Sequence, residues 1–422
     1  MKQKKLSILL IFIFILSLNI NVFAAGENQK TDPQIYGKAA VTIDMQTGEI
    51  IYAKDIDKQM YPASTTKLLT ALLLAENKNK TDMLTYTQNA KAQPEYSLSL
   101  NLHPIAVGEK MSADNAMDGL LLYSGNDVAY MIAENVGKDA KDFSDKMNEE
   151  IKKLNLSNTH FVTPNGLHDP NHYTTAYDLS VIARAAFQNP WVKESMGKQK
   201  STIKTSSGTT FLIENRNKLL GTDGCIGGKT GYTVPAGRCL VAIYDRDGRK
   251  VLGVVMNSVY DQNDAFVFDD MKKVIDWSYA AKPVSLHKKD SVITTKTVKY
   301  KPLVFVGPEK SIDVPVTIKE DINYYDNATN KKELKEVVNL NDIKVSSLKG
   351  TDPIGTLTIK ERAASRDYKL YSALPKGALM KNNLPVYGAA LLAVLASLGV
   401  IAFAVKKILN IKRKRRRGKY TW

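Results

Sequence analysis

Two long apolar stretches without charge stand near opposite ends of the 422-residue chain. The first runs from Leu6 to about Ile20, after Lys2, Lys4 and Lys5 and before Asn21-Val22-Phe23-Ala24-Ala25. A basic start, an apolar run and then small residues predict a secretory signal peptide over 1–24, cleaved near Ala24. The second stretch, Val386 to Val405, is 20 residues long and has no charged side chain. As a helix it spans ~30 Å, enough to cross a hydrocarbon core. A buried core helix is the plain alternative, and the flank argues against it. Lys406, Lys407, Lys412, Arg413, Lys414, Arg415, Arg416, Arg417 and Lys419 follow at once, as the positive-inside rule expects of a cytoplasmic tail over 406–422. The pattern predicts an exported chain held in the cytoplasmic membrane by a transmembrane helix over 386–405.

Between these ends the periodicity changes along the chain. AAVTIDM and EIIYAK, separated by Gln46-Thr47-Gly48, read as a hairpin, and so do CLVAIY and VLGVVMNS around Asp245-Arg246-Asp247-Gly248. An amphipathic segment follows from Asp264 to Tyr279, and the clearest helices of the middle are Ser64–Glu76 and Asp114–Ala133. Terminal strands around a helical middle predict an α+β domain over 35–280, with one antiparallel sheet completed by both ends. After Pro283 come short runs rich in valine, isoleucine and threonine, such as Ser291–Tyr300, Ser311–Lys319 and Thr356–Lys360. They predict a small all-β domain over 284–375, then a linker from Pro375 to Pro385. About 360 residues between the two ends exceed what one core organises, which supports two domains.

Charge changes the picture less than its total suggests. The formal net charge is +16, which invites a nucleic-acid reading. Nine of those charges lie in the tail and three in the signal segment, leaving the exported body at about +4. Basic residues beside a membrane span set topology and favour anionic lipid, so nucleic acid is not an expected partner. Cys225 and Cys239 are the two cysteines, and export permits a disulfide. If both lie on a hairpin turning near Pro235, Cys225 falls opposite a residue near 246, so two free thiols are expected. No cysteine spacing suggests zinc and no HExxH occurs, so no metal is expected; covalent chemistry on a serine would need no organic cofactor either.

The candidate chemistry begins at Tyr61–Glu76, YPASTTKLLTALLLAE, where Ser64 precedes Lys67 by three residues. The spacing alone says little, because Ser195/Lys198, Ser201/Lys204, Ser285/Lys288 and Ser346/Lys349 share it. The setting of Ser64 is different: a loop entering a strongly apolar helix puts the hydroxyl in the first turn, where backbone N–H groups and the helix dipole favour a developing alkoxide. Lys67 projects from the same face. Burial lowers an ammonium's pKa and leaves a neutral amine able to take the hydroxyl proton. Helix capping by Ser64 is the competing reading. Leu120–Asp127 reads LLLYSGND and Lys229–Thr233 reads KTGYT. Ser124 is a second hydroxyl for proton transfer, and Asn126 offers donor and acceptor to a peptide; turn chemistry around Gly125 is the alternative. In KTG, Lys229 and Thr230 share a strand and Gly231 allows close approach to the backbone, against the bland reading of a strand-edge lysine.

At these residues the chain resembles the low-molecular-weight penicillin-binding proteins, the serine D-alanyl-D-alanine carboxypeptidases, which share SxxK, SxN and KTG with serine β-lactamases. PASTTK, YSGND, GGKTGYT, Thr159–Ala186 and AGRCLVA (Ala236–Ala242) carry the resemblance, over roughly 35–280. It implies a β-lactamase/transpeptidase-like fold and removal of the terminal D-alanine from peptidoglycan stem peptides through an acyl-enzyme, with acylation by β-lactams. It further implies Ser64 as nucleophile, Lys67 as base and Ser124 with Lys229 in proton movement. Asn126 would hold the peptide, Thr230 its terminal carboxylate, and the N–H groups of Ser64 and Tyr232 the oxyanion. Some relatives have a histidine where Asn165 stands, and some hold the carboxylate with an arginine after the strand that follows KTG. Arg238, Arg246 and Arg249 lie near in sequence, but none falls at the matching place. Competing readings are a DD-endopeptidase or transpeptidase on the same substrate and a non-catalytic, membrane-anchored penicillin sensor. A class A β-lactamase is disfavoured because no ExxLN occurs; residues 150–155 read EIKKLN, one residue too long.

Overall fold

The computed structural model describes residues 31–303, 307–343, 345, 348, 350–362 and 364–417; the expected signal peptide and the end of the basic tail lie outside them. Contacts divide these residues into two units. One holds the chain up to Ile43 with Lys54–Ala281, the other Asp44–Ala53 with the chain from Lys282 onward.

The alternating segments predicted at either end of residues 35–280 form one sheet. Its strands are β1 (Ala39–Asp44), β2 (Ile50–Lys54), β7 (Cys225–Thr233), β8 (Gly237–Arg246) and β9 (Arg249–Ser258), in the order β2-β1-β9-β8-β7. Two short hairpins lie between: β3 (Met83–Thr85) with β4 (Lys110–Ser112), and β5 (Lys200–Lys204) with β6 (Thr210–Glu214). The central strands are buried without alternation, Leu240–Tyr244 on β8 and Val251–Met256 on β9, so both faces must be covered. The longer helices are α1 (Lys67–Asn77), α2 (Ala113–Asp118), α3 (Asn126–Val136), α4 (Ala140–Lys153), α5 (Ala176–Gln188), α6 (Pro190–Met196) and α7 (Phe266–Ala280). Both α5 and α7 contact β9. Asp270 on α7 ties the start of the domain to the sheet, accepting from the backbone N–H groups of Tyr36 and Gly37 at 2.9 and 2.8 Å and from Ser258 Oγ at 2.6 Å.

Two expected helices are resolved differently. Ser64–Glu76 is not one α-helix: Ala63–Thr66 is a 3₁₀ turn and α1 begins at Lys67. Asp114–Ala133 is broken, with α2 passing into a π turn over Gly119–Tyr123 and α3 starting only at Asn126. Ser124 between them is left-handed, φ 72°, so no helix can run through it. Hydrophobic periodicity hid the break because Leu120, Leu121 and Leu122 are all buried whichever helical pitch they follow.

The second unit contains the antiparallel sheet β11-β12-β16-β15-β14. Here β11 is Val292–Tyr300, β12 Lys310–Thr317, β14 Lys335–Leu340, β15 Pro353–Lys360 and β16 Ser365–Ser372. A separate pair is made by β10 (Val284–His287) and β13 (Ile322–Tyr324). Val316, Ile322, Leu357, Ile359 and Leu370 form its core. After Gly377 the chain is helical from Ala378 to Arg417 (α8), with Pro385 inside the helix, where the sequence suggests a linker up to Pro385. A proline removes one intrahelical bond without forbidding continuation, and the first turns are held from outside. Tyr300 Oη donates to Asn383 Oδ1 at 2.6 Å, Asn382 Nδ2 donates to Tyr300 Oη at 3.0 Å, and Lys310 Nζ donates to the Asn382 carbonyl. Beyond them the helix is exposed along its apolar length, and it is the one helix among the described residues long and apolar enough to cross a membrane.

A chain ending after Asn383 is expected in the soluble fraction with an undiminished melting temperature. One ending after Lys381 loses the asparagine contacts, each worth ~1 kcal/mol, and should melt several degrees lower by differential scanning calorimetry. Retention of the Asn383-terminated chain on membranes after a high-salt wash would contradict the single-helix anchor.

Candidate active site

Ser64 owes its position to the turn before α1. Ala63 takes a positive φ of 49°, and Thr65 Oγ1 donates to the Pro62 carbonyl at 2.6 Å. The seven residues Leu68 to Leu74 are all buried, which seats α1 in the interior and carries Lys67 inward with it. The Ser64 side chain faces Lys67, Oγ 2.8 Å from Nζ, and not a helix N–H group. The capping reading is therefore not the one the turn adopts.

Lys67 is fully buried, and its Nζ has three oxygen partners: Ser64 Oγ at 2.8 Å, Asn126 Oδ1 at 2.9 Å and the Asn165 carbonyl at 2.8 Å. Asn126 Nδ2 donates to the Glu95 carbonyl at 2.7 Å, which fixes which end of the amide faces the lysine. Two of the three partners thus accept only. A neutral amine has two N–H groups to give them, and its lone pair is left for the Ser64 hydroxyl. Burial is the main reason that the Lys67 pKa falls to about 7; the Arg216 charge lowers it further and Asp127 opposes the shift. Near neutral pH the amine is therefore available as a proton acceptor.

The π turn and the left-handed Ser124 present a second hydroxyl. Lys229 Nζ donates to Ser124 Oγ at 2.8 Å and to the Thr230 carbonyl at 3.0 Å. Burial holds the Lys229 pKa well below the usual lysine range, assisted by repulsion from Lys67, Arg216 and Arg238. Three residues after Ser124, Asp127 anchors the segment from behind, accepting from Tyr86 Oη and from the N–H groups of Leu98, Ser99 and Val128 at 2.9–3.0 Å. Lys229, Thr230 and Gly231 lie on β7, opposite Val241, Leu240 and Cys239 of β8. A Cβ on Gly231 would stand 3.0 Å from both the Pro62 carbonyl oxygen and the Ser64 nitrogen. What approaches Gly231 is thus the chain's own Ser64 turn, and the missing side chain lets β7 close against it. Cys225 lies opposite Tyr244, near the position its hairpin register predicts, and both cysteines are buried and unbridged.

The serines of two other serine–lysine pairs are engaged elsewhere. Ser195, Lys198 and Ser201 all bind Asp118, at 2.7, 2.9 and 2.6 Å, a carboxylate that is itself buried. Ser346 and Lys349 lie outside the described residues. Asn165 contributes its backbone carbonyl to Lys67, while its side chain donates to Gln93 Oε1 at 2.9 Å. His168 packs edge-on against Tyr61.

A cavity of about 290 Å³ opens over these groups, lined by Ser64, Ser124, Thr230 and Tyr232 together with Arg216 and Arg238. Arg216 is the residue the sequence did not single out. Its guanidinium lies 4.7 Å from the ring centres of both Tyr96 and Tyr123, a double cation–π arrangement that no local motif announces. Arg238 reaches the cavity from β8, paired with Asp264, although it does not fall after the strand following KTG. Arg216, Arg238 and Lys218 line the cavity against one carboxylate, Asp264, a balance that favours an anionic ligand. No group of His, Cys, Asp and Glu side chains suited to a metal ion occurs among the described residues.

Over residues 26–259 the chain matches the profile of the peptidase S11 family, D-alanyl-D-alanine carboxypeptidases. The D-alanyl-D-alanine carboxypeptidase DacF of Bacillus subtilis is 27% identical over 368 residues, covering 85% of this chain and 90% of that protein. DacB2 of Mycobacterium tuberculosis is 30% identical over 245 residues, 58% of this chain and 82% of the relative. Among solved structures, the Streptomyces K15 DD-transpeptidase matches with a TM-score of 0.54 at 30% identity, covering 59% of this chain and 99% of that one. The carboxypeptidase DacD from Francisella tularensis shares the fold over 81% of this chain and 94% of its own, with a TM-score of 0.58 at 23% identity.

Lysine side-chain NMR is expected to show Lys67 losing its proton with a midpoint near the value of about 7 that burial sets. A Lys67 resonance titrating in the ordinary range near 10.4 would contradict the buried geometry of two acceptors and one serine hydroxyl.

Proposed function

This chain belongs to the peptidase S11 family of serine-type D-alanyl-D-alanine carboxypeptidases, peptidoglycan hydrolases, and from that premise we propose that it trims the terminal D-alanine of stem peptides through an acyl-enzyme on Ser64. Lys67 takes the hydroxyl proton as Ser64 Oγ attacks the carbonyl between the last two D-alanines. The C–N bond then breaks, and the departing amine takes a proton from the Ser124 hydroxyl, which is restored by the proton that Lys67 took from Ser64, so that Lys67 is neutral again; Lys229, 2.8 Å from Ser124 Oγ, orients that hydroxyl. Water adds to the acyl carbonyl, giving its proton back through Lys67, and Ser64 is released with one water consumed. The N–H groups of Ser64 and Tyr232 hold the oxyanion, worth ~3 kcal/mol per donor in enzymes of this kind. Thr230 receives the substrate carboxylate and Arg238 supplies the cation beside it, while Asn126 and Gly231 border the bound peptide. A β-lactam enters as a substrate mimic and is released slowly.

The observation that carries this reading is the Lys67 amine, buried, with two obligate acceptors and one serine hydroxyl around it. Export by the 1–24 signal, a β domain over 284–375 and a span over 386–405 with the basic tail inside would leave the catalytic domain facing the wall. A second reading is supported by one relative: the solved protein at 30% identity is described as a DD-transpeptidase. In that case an amine of a second peptide, not water, would take the acyl group.

Ser64→Ala is expected to abolish both labelling by a fluorescent penicillin and release of D-alanine from a wall pentapeptide, with an unchanged circular dichroism spectrum. A label surviving on that variant would place the nucleophile elsewhere, and labelling of the wild type without turnover would favour a sensor. Product mass separates trimming from cross-linking. Arg238→Ala should raise KM roughly tenfold or more for a peptide with a free C-terminal carboxylate, as loss of a charged hydrogen bond worth ~1.5–3 kcal/mol implies. The corresponding peptide amide should be unaffected; equal effects on both would remove Arg238 from carboxylate recognition.

A further inference from the structure

His172 takes no part in the chemistry above, yet it is buried against the site and every polar atom of its ring is engaged. The ring is 1% exposed and stacks on Phe161, centroids 4.6 Å apart and planes 2° from parallel. Its Nδ1 faces two backbone donors, Val162 N at 2.9 Å and Thr163 N at 3.2 Å. Two N–H groups can meet only a lone pair, so Nδ1 is unprotonated and the ring proton sits on Nε2, which donates to Thr66 Oγ1 at 2.8 Å. A protonated ring would set a third N–H against those two donors. Burial accordingly pushes the His172 pKa down to about 3; among its neighbours Asp169 opposes this, and His160 and His168 add to it.

The two ends of this bridge matter because of what they border. Thr66 is the residue before Lys67, and Thr163 opens the loop whose Asn165 carbonyl is one of the lysine's three partners. The loop is pressed onto the nucleophile's turn. Gly166 has a φ of 78°, and a Cβ there would fall 2.0 Å from the Ala63 carbonyl oxygen. Gly166 N donates to Thr163 Oγ1, and Thr70 Oγ1 donates to the Pro164 carbonyl at 2.6 Å. We infer that His172 is a positioning residue for Lys67: by pinning Val162 and Thr163 to Thr66 it holds the Asn165 carbonyl against Nζ, so that the lone pair of the amine stays aimed at Ser64. This rests on Lys67 acting as the base. If the carbonyl moves off, water takes its place, the ammonium is better solvated, and the amine is no longer confined to one orientation. The charged groups that otherwise act on Lys67, namely Arg216, Asp127 and Lys229, come from other segments and do not depend on this loop.

The test is the rate of acylation of the full-length protein by a chromogenic penicillin from pH 5 to 9, with melting temperatures, for His172→Gln and His172→Asn. Glutamine reaches Thr66 but presents nothing at the δ position; asparagine puts its amide oxygen there. The expected result is a wild-type rate rising with a midpoint near the Lys67 value of about 7. In His172→Gln the midpoint should lie about one pH unit higher, with acylation at pH 7 roughly fivefold slower, as the smaller neutral fraction dictates. His172→Asn should keep the wild-type midpoint. A slower His172→Gln with an unmoved midpoint would reduce His172 to packing, and a His172→Asn displaced as far would show that the Nδ1 acceptor is not what counts. Should the glutamine variant not fold, the asparagine variant decides by the same criterion. Lysine NMR on the same proteins reads the Lys67 titration directly, so a wild type that resists acylation would overturn the base assignment and still leave the positioning inference decided.

Discussion

The interaction on which the rest depends is the confinement of one amine. Lys67 brings a charge-capable group into an apolar interior, where an isolated ammonium is strongly disfavoured. Two oxygens that accept only, from Asn126 and Asn165, define where its hydrogens go. The remaining direction belongs to Ser64. Proton affinity and direction therefore have separate sources, depth of burial for the first and two carbonyl oxygens for the second. Loss of either would leave a serine near a lysine, an arrangement this chain contains several times elsewhere.

Three remote segments are needed to build that enclosure, and each reaches it by an unusual backbone. The Ser64 turn needs a positive φ at Ala63, the SGN segment one at Ser124, and the Asn165 loop one at Gly166. Such conformations persist when surrounding packing over-determines them, and they gather at functional sites. The supports are polar and buried: Asp127 behind Ser124, Asp118 at the end of α2, His172 behind the Asn165 loop. Repulsion among Lys67, Lys229, Arg216 and Arg238 is tolerated because the two lysines are driven toward neutrality. Arg216 is stacked on two tyrosines and Arg238 is paired with Asp264. The result is a cavity prepared for a negative ligand before one arrives.

The second unit serves a different physical task. Its sheet closes on a small aliphatic core, and its polar contacts with Asn382 and Asn383 grip the start of a 40-residue helix. A strand-rich unit fastened to the first turns of a membrane-length helix fixes how the helix leaves that unit. None of the catalytic candidates lies in it.

Much of the fold was legible locally because periodicity is a local property. The terminal hairpins, α7, the strands after Pro283 and the long apolar C-terminal stretch all follow from which residues must leave water. The triplets at Ser64, Ser124 and Lys229 were legible as a set, since their order along the chain is rarely accidental and they carry a family resemblance. Three things were decided only in three dimensions. The break at Ser124 came from a backbone conformation that a run of leucines conceals. The choice among the serine–lysine pairs came from the company each keeps, Asp118 for Ser195 and Ser201, two carbonyl oxygens and an apolar helix for Ser64. Arg216, Arg238 and His172 acquired meaning from neighbours dozens of residues away. Sequence records which groups a chain owns and which segments are apolar; the pKa of a lysine and the direction of its lone pair depend on distances between segments, which exist only once the chain has closed on itself.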